Sequence, residues 1–151
     1  VRLALQTAAR RSALLDLTWD RVDFERGRIY LVVPGEHNRK RRALSVPIND
    51  QLRADLEAAK AVAQTPFVIE YAGHRVLNIK RGFAAAVRRA GLEYVTPHYL
   101  RHTAAVWMAE AGVTFEEIAQ YLGHSSTRIT FSVYARFSPS HLQRASKSLE
   151  F

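Results

Sequence analysis

The stretch that decides the fold runs from Thr96 to Tyr134 and reads TPHYLRHTAAVWMAEAGVTFEEIAQYLGHSSTRITFSVY. Thr96 followed by Pro97 is typical of a helix start, because threonine can cap free N–H groups and proline suits the first helical position. A second helix is predicted to begin at the capping box Thr114–Glu117 and to end near Gly123. A third predicted helix carries Tyr134, so the stretch predicts three consecutive helices joined by tight turns.

Four side chains of this stretch suit the binding of a phosphate and its attack by a tyrosine. His98 and Arg101 lie three residues apart and share one face of the first predicted helix. They lie near its N-terminus, where free N–H groups and the helix dipole favour an anion. His124 directly follows a glycine at a helix-to-helix turn, and Tyr134 comes ten residues later. Each residue by itself is more often a surface or packing residue, so the prediction depends on their joint order.

The pair His98 and His102 also has the i and i+4 spacing of a metal-binding pair on a helix. No acidic residue or third histidine stands at a spacing that would complete such a site. We therefore expect no metal and no other cofactor.

The remaining sequence predicts an α+β fold that is mainly α-helical, with a small antiparallel β-sheet near the N-terminal third. Residues 1–17 have a helical apolar face that pauses near its middle, and residues 22–47 have the β-branched and aromatic content of strands. Residues 67–69 predict a further short strand. Helices are predicted over residues 49–64 and 77–90.

The composition points to a basic intracellular protein. The 151 residues are enough for one domain with a real core. They include 22 Lys+Arg against 14 Asp+Glu, a net charge of +8 that favours a polyanionic partner such as nucleic acid. There is no cysteine, hence no disulfide, and no apolar run approaches the ~18 residues of a membrane span. We expect a cytoplasmic protein, and the start at Val1 suggests a fragment or a processed domain.

A strongly basic run forms the predicted tip between two strands: Arg39, Lys40, Arg41 and Arg42. A run of this kind is commonly a solvated turn, but with a net charge of +8 we expect it to contact the DNA backbone. From this tip, Lys40 could reach a phosphate or a leaving oxygen.

The order of these motifs resembles the catalytic domain of the tyrosine recombinases, the phage integrase family. The resemblance covers essentially the whole chain. The segments that carry it are Thr7-Ala-Ala-Arg10, the basic hairpin ending at Val46-Pro47, His98-Tyr-Leu-Arg101-His-Thr, Leu122-Gly-His124 and Val133-Tyr134-Ala.

The resemblance implies an active site whose residues come from both halves of the chain. Arg10 and Arg101 match two catalytic arginines, which clamp a DNA phosphate. His98 and His124 match the two histidines; we expect His98 to act as the base and His124 to donate a hydrogen bond to a phosphate oxygen. Tyr134 matches the nucleophile, which attacks phosphorus to give a 3′-phosphotyrosine and a free 5′ hydroxyl.

The chain departs from the family pattern at several positions. Glycine often precedes the first arginine and an acid follows it by three residues, whereas this chain has Ala8 and Ala13. Aspartate usually follows the first histidine, whereas this chain has Tyr99. The family's hairpin lysine has its nearest candidate in Lys40, but the common position falls at or near Arg39. Both residues stay open for that role.

The resemblance also implies site-specific cutting and rejoining of double-stranded DNA, without ATP or metal, in a bacterial or phage setting. Residues 1–151 are then a single catalytic domain without its N-terminal DNA-binding domain. Protomers are expected to assemble on DNA, as a tetramer in the synaptic complex. Two alternatives stay open: a non-catalytic DNA-binding relative, and a nicking-closing enzyme similar to type IB topoisomerases. A phosphatase would leave the basic hairpin unexplained.

Overall fold

The computed structural model describes residues 1–32 and 45–150, and this part of the chain is mainly α-helical. The helices are α1 (Arg2–Thr7), α2 (Arg11–Leu15), α3 (Asp50–Ala61), α4 (Lys80–Arg89), α5 (Pro97–Glu110), α6 (Phe115–Leu122), α7 (Thr127–Tyr134) and α8 (Gln143–Lys147). The strands are β1 (Val22–Asp23), β2 (Arg28–Tyr30), β3 (Ser45–Pro47), β4 (Glu70–Tyr71) and β5 (His74–Arg75). The predicted α+β class, mainly helical with a small antiparallel sheet, is confirmed.

The sheet of the N-terminal third is antiparallel, in the order β1-β2-β3. Ile29 on the central strand lies opposite Val22 and Val46, and all three side chains are buried. Their neighbours along each strand are more exposed, as expected where only one face of a sheet packs on a core. The sheet thus turns one apolar face inward.

The strand predicted over residues 67–69 is replaced by a single bridge between Phe67 and Thr18. The backbone N–H of Val68 donates to the Leu17 carbonyl, so this segment pairs only briefly with the chain after α2. A separate two-stranded hairpin, formed by β4 and β5, follows this segment. The Glu70 carboxylate accepts hydrogen bonds from the N–H groups of residues 64 and 65, which folds the segment before β4 into a turn.

The helix predicted over residues 1–17 is broken into α1 and α2, as the pause near Thr7 indicated. Ala8 has a left-handed backbone, with φ 48° and ψ 18°. The Thr7 hydroxyl stabilises the break by donating to the Leu3 carbonyl at 2.6 Å and accepting from the Ala9 N–H at 3.3 Å. Arg10 follows in an extended conformation as the N-cap residue of α2, so the break places this arginine between the two helices rather than within one.

Two apolar clusters meet at this break. One joins α2 and α3 to the inner face of the sheet, and it includes Ala9. The other joins α5, α6 and the end of α7, and it includes Ala8 and Tyr134. Tyr121 packs against both clusters, and its hydroxyl donates to the Gln6 carbonyl at 2.6 Å. The segment before Arg10 is therefore held between two packed layers.

The three predicted helices of the second half are present. In the capping box of α6 the Thr114 hydroxyl accepts from the Glu117 N–H at 3.3 Å and bonds its carboxylate at 3.0 Å. The Ser126 hydroxyl accepts from the Arg128 N–H and caps α7. Over residues 1–32 and 45–150, no helix combines the length and the apolarity needed to cross a membrane.

Candidate active site

Arg101 is the buried centre of the site. It lies on the second turn of α5 and is only 5% exposed. Its guanidinium donates to the Ala8 carbonyl at 2.8 Å and to the Leu122 carbonyl at 2.5 Å. These bonds fix the break between α1 and α2 and the end of α6 against α5. A guanidinium has five N–H donors, so two carbonyl contacts leave it the capacity to bind an anion.

Arg10 lies close enough to Arg101 to influence its pKa. Burial, together with the positive charge of Arg10, lowers the pKa of Arg101 to about 10. The negative charge that Tyr134 carries once it loses its proton raises the pKa of Arg101. Two like charges held together beside a tyrosine cost free energy in the absence of an anion. A bound phosphate would relieve that cost.

Tyr134 ends α7 with its side chain buried in the cluster that lines α5 and α6, and it is 4% exposed. Its hydroxyl hydrogen-bonds Nδ1 of His102 at 2.6 Å. Burial raises the pKa of the Tyr134 phenol above its usual value of 10.0, although the charge of Arg101 opposes this. The phenol is therefore protonated near neutral pH and needs a base before it can act as a nucleophile.

His124 is placed by a tight end of α6. Gly123 is left-handed with φ 64°, and the His124 N–H donates to the Ala119 carbonyl at 2.9 Å, as in a Schellman motif. The imidazole Nδ1 hydrogen-bonds the buried hydroxyl of Thr130 on α7 at 2.8 Å. Because the neighbouring Leu122 carbonyl accepts from Arg101, the turn that carries His124 adjoins the arginine.

His98 lies one helical turn before His102 on α5, and its ring meets the His102 ring edge-on with centroids 4.6 Å apart. Partial burial is the main cause that lowers the pKa of His98 below its usual value of 6.5, and the charges of His102, Arg101 and Arg10 act in the same direction. His98 is therefore neutral near pH 7. Within the described ranges, no group of three or more metal-ligating side chains surrounds this histidine pair.

The structure thus gathers most of the residues predicted from the sequence. Those brought into one neighbourhood are Arg10, His98, Arg101, His124 and Tyr134. The hairpin residues Arg39, Lys40, Arg41 and Arg42 lie outside the described residues.

Sequence reasoning missed two contributors. His102 was considered only as half of a metal pair, yet it contacts the Tyr134 hydroxyl. Thr130 carried no sequence signal beyond its place four residues before Tyr134, yet it bonds His124. Their positions on facing helices decide these roles.

The arrangement suits nucleophilic attack on a phosphodiester. Two guanidiniums can neutralise the phosphate oxygens in a bidentate manner. A buried phenol with an imidazole at its hydroxyl can supply an oxygen nucleophile once its proton is transferred.

A model of the phage integrase family matches residues 1–141 of this chain. The chain is 33% identical to the tyrosine recombinase XerA of Thermococcus kodakarensis over 151 aligned residues, which cover 96% of this chain and 52% of that protein. Among solved structures, the catalytic domain of bacteriophage HP1 integrase matches with a TM-score of 0.67 at 30% identity, over 97% of this chain and 77% of that one.

The fold is also that of the Tn1549 transposon integrase, solved in complex with transposon right end DNA, with a TM-score of 0.79 at 20% identity. That match covers 98% of this chain and 57% of the transposon protein. The chain spans about half the length of the curated relatives it matches, 52% and 41% of the first two.

Proposed function

Because this chain belongs to the phage integrase family, we propose that it is the catalytic domain of a tyrosine recombinase that cuts and rejoins DNA at specific sites. The observation that carries the proposal is the buried Tyr134 hydroxyl, which is bonded to an imidazole and lies beside the charge of Arg101. A purely structural tyrosine needs neither an imidazole bonded to its hydroxyl nor a guanidinium charge beside it.

In the proposed reaction, Arg10 and Arg101 bind the non-bridging oxygens of the scissile phosphate. Each such donor can lower the barrier by about 3 kcal/mol, because negative charge grows on these oxygens in the transition state. His124 donates a further hydrogen bond, with its ring oriented by Thr130.

Tyr134 attacks phosphorus, and the bond to the 5′ oxygen breaks. The product is a 3′-phosphotyrosine and a free 5′ hydroxyl, so the energy of the broken bond is kept for rejoining. Lys40, or Arg39 in its place, is the proposed donor of the proton that the leaving 5′ oxygen takes.

The proposed partner is double-stranded DNA, bound through the net charge of +8 and through Arg39, Arg41 and Arg42 on the basic hairpin. Support comes from the similar fold of an integrase solved with transposon DNA. We further propose that residues 1–151 form one catalytic domain, that a separate DNA-binding domain precedes it in the whole protein, and that protomers assemble as a tetramer on paired sites. The proposed location is the DNA-containing cytoplasm.

A covalent-capture experiment tests the activity. The protein is incubated with a pool of nicked duplexes of randomised sequence, from which a cleaved fragment diffuses away and traps the adduct. Protein-linked DNA is recovered, sequenced and resynthesised as a single substrate. We expect an adduct on Tyr134, found by peptide mass spectrometry, and none with Tyr134→Phe.

Three results would contradict the proposal. DNA binding without any adduct would indicate a non-catalytic relative. An adduct that persists in Tyr134→Phe would mean that another residue is the nucleophile. Relaxation of supercoiled plasmid without paired sites or strand exchange would indicate a nicking-closing enzyme instead.

A further inference from the structure

The base that activates Tyr134 can be identified from the contacts of its hydroxyl. Nδ1 of His102 lies 2.6 Å from this oxygen, the separation of a short hydrogen bond. His98, which the sequence suggested for this role, packs edge-on against the His102 ring instead. We infer that His102 accepts the proton of Tyr134 when the phenol attacks the DNA phosphate. The inference rests on the proposed function and adds a catalytic residue to it.

The burial of Tyr134 makes the position of its base decisive. A phenol that is 4% exposed has little access to bulk hydroxide, so a neighbouring group must take the proton. His102 is held for this task on the second turn of α5, where α7 ends against it. Because the two side chains lie 32 positions apart in the sequence, only the packing of α7 on α5 brings them together.

The tautomer follows from the chemistry of the pair. A neutral imidazole has one donor nitrogen and one acceptor nitrogen, and a phenol is the better proton donor of the two partners. Nδ1 of His102 therefore accepts from Tyr134 while its Nε2 carries the ring proton. The charged groups that influence this neighbourhood are Arg101 and Arg10, and a second imidazole, His98, adjoins it.

This geometry gives the two histidines different roles. His102 accepts the proton of the attacking Tyr134 oxygen. His98 lies nearer the N-terminus of α5 and is more exposed than His102, so it is placed to meet the DNA rather than the phenol. Its lowered pKa keeps it neutral and limits repulsion with a protonated His102.

The step balances as a single displacement. The Tyr134 proton moves to Nδ1 of His102, the bond from the phenol oxygen to phosphorus forms, and the bond from phosphorus to the 5′ oxygen breaks. The 5′ oxygen takes a separate proton from the hairpin cation. When a 5′ hydroxyl later attacks the phosphotyrosine, its proton passes to the hairpin residue that lost one in the first step, and His102 returns its proton to the leaving phenol.

Two variants separate proton transfer from mere positioning. His102→Ala removes the contact with Tyr134. His102→Asn places an amide near the position of Nδ1, so it can hold the hydroxyl but cannot take the proton. His74→Asn, on the exposed β5 strand, is the matched control. Thermal unfolding of each variant checks that it is folded.

The readout is the single-turnover rate of adduct formation on the resynthesised substrate, with a normal phosphodiester and with a 5′-bridging phosphorothiolate. The thiolate leaves without a proton, so this substrate compensates for a missing acid but not for a missing base. We expect both His102 variants to lose about 100-fold or more on both substrates, the range of general base catalysis. We expect added imidazole to restore part of the cleavage rate of His102→Ala. We expect Lys40→Ala to be slow on the normal phosphodiester and to regain its cleavage rate on the phosphorothiolate.

The inference is overturned if His102→Ala forms the adduct at a rate within about threefold of the unchanged protein. It is also overturned if His102→Asn forms the adduct nearly as fast as the unchanged protein, because His102 would then be a positioning residue only. Loss of the adduct in the unchanged protein would instead refute the proposed function. A readout without DNA is ¹⁵N-histidine NMR, with the His102 signal identified from its loss in His102→Asn. We expect an unprotonated Nδ1, and a proton on Nδ1 would contradict the assignment.

Discussion

Arg101 combines a structural contact with its proposed catalytic one. Its guanidinium bridges the Ala8 and Leu122 carbonyls, which belong to segments 93 and 21 residues away in the sequence. The planar fork of arginine can serve two carbonyls and an anion at once, whereas a lysine ammonium is a single point donor. The side chain proposed to bind the phosphate therefore also holds α5 against the break between α1 and α2 and against the end of α6.

Arg101→Lys is expected to destabilise the fold as well as the reaction. Losing at least one buried charge-assisted hydrogen bond should lower the free energy of unfolding by about 1–3 kcal/mol. Urea denaturation followed by circular dichroism measures this change, and the capture assay should show little or no adduct. Arg88→Lys, on the exposed face of α4, is the control and should leave both quantities nearly unchanged. Equal stability of the two variants would contradict the bridging role.

The backbone at Ala8 shows why glycine is common at this position in the family. The residue two positions before Arg10 has a left-handed backbone, with φ 48°, and glycine reaches that conformation at low cost. Alanine adopts it at a cost of about 1–2 kcal/mol, and its small side chain is fully buried in the cluster around α5 and α6. Ala13 is likewise 1% exposed in the other cluster, so this chain uses an apolar core residue where an acid is common.

At the scale of elements, the turn from α6 to α7 positions His124. The Schellman end of α6 sets its backbone, and the Thr130 hydroxyl on α7 sets its ring. Both contacts lie within the turn between α6 and α7 and its two helices. The hydrogen bond from Arg101 to the Leu122 carbonyl holds this turn against α5. The imidazole is therefore oriented before any substrate arrives.

Thr130→Val should weaken the reaction without unfolding the chain. The hydrogen bond to His124 contributes about 1 kcal/mol, so we expect a roughly fivefold slower single-turnover cleavage. Thr130→Ser keeps the hydroxyl and is the matched control; it should cleave at nearly the original rate despite losing a buried methyl group. If Thr130→Val cleaves as fast as Thr130→Ser, the orientation of His124 by this hydroxyl is refuted.

The stability of the turn before β4 depends on pH. The Glu70 carboxylate accepts from the Thr65 hydroxyl and from the N–H groups of residues 64 and 65, and these bonds lower its pKa below 4.5. Since the folded pKa lies below the unfolded one, the stabilisation is present above pH 4.5 and is lost as pH falls through the folded pKa.

Glu70→Gln should therefore reduce the free energy of unfolding near neutral pH. The difference from the unchanged protein should shrink as the pH is lowered through the acidic range, because the unchanged carboxyl also becomes neutral there. Urea denaturation at several pH values measures both proteins, with Glu93→Gln as an exposed control. A difference that stays constant down to low pH would contradict this origin of the stabilisation.

At the scale of the whole molecule, the positive charge is expected to dominate DNA affinity. Each phosphate contact releases condensed counterions, so the logarithm of the binding constant falls with the logarithm of salt concentration by about 0.9 per contact on duplex DNA. The net charge of +8 makes a steep dependence the expectation for this chain.

Replacing Arg39, Arg41 and Arg42 with glutamine should reduce that slope by up to about 0.9 for each residue that contacts a phosphate. Fluorescence anisotropy of a labelled duplex across a range of salt concentrations gives the slope. With only Arg41 and Arg42 replaced, the cleavage rate at saturating protein should change less than the affinity, because these two residues are proposed to contact the DNA backbone, whereas Arg39 is an alternative to Lys40 as the proton donor. An unchanged slope would place the basic hairpin away from DNA.

The sequence alone predicted the order of the motifs and most of the elements that carry them. The proline that begins α5, the cap at Thr114 and the glycine at Gly123 are local signals, because the groups that define a helix end lie within a few residues of it; Thr96 occupies the N-cap position of α5 but makes no side-chain capping hydrogen bond. The short strand expected at residues 67–69 was wrong: the Phe67 N–H donates to the Thr65 hydroxyl and the Val68 N–H to the Leu17 carbonyl, so only one bridge forms with the chain after α2. Such pairing is set by the tertiary fold.

Only the tertiary structure decided which side chains meet. The contact of His102 with Tyr134 joins α5 to α7, and the contact of Arg101 with Ala8 joins α5 to a break near the N-terminus. Neither has a periodic or local signature, since both depend on how helices pack and on the left-handed turn at Ala8. The sequence determined that this chain carries the groups for phosphate chemistry. The packing determined that the imidazole bonded to the Tyr134 hydroxyl is His102 rather than His98, because the end of α7 lies against His102.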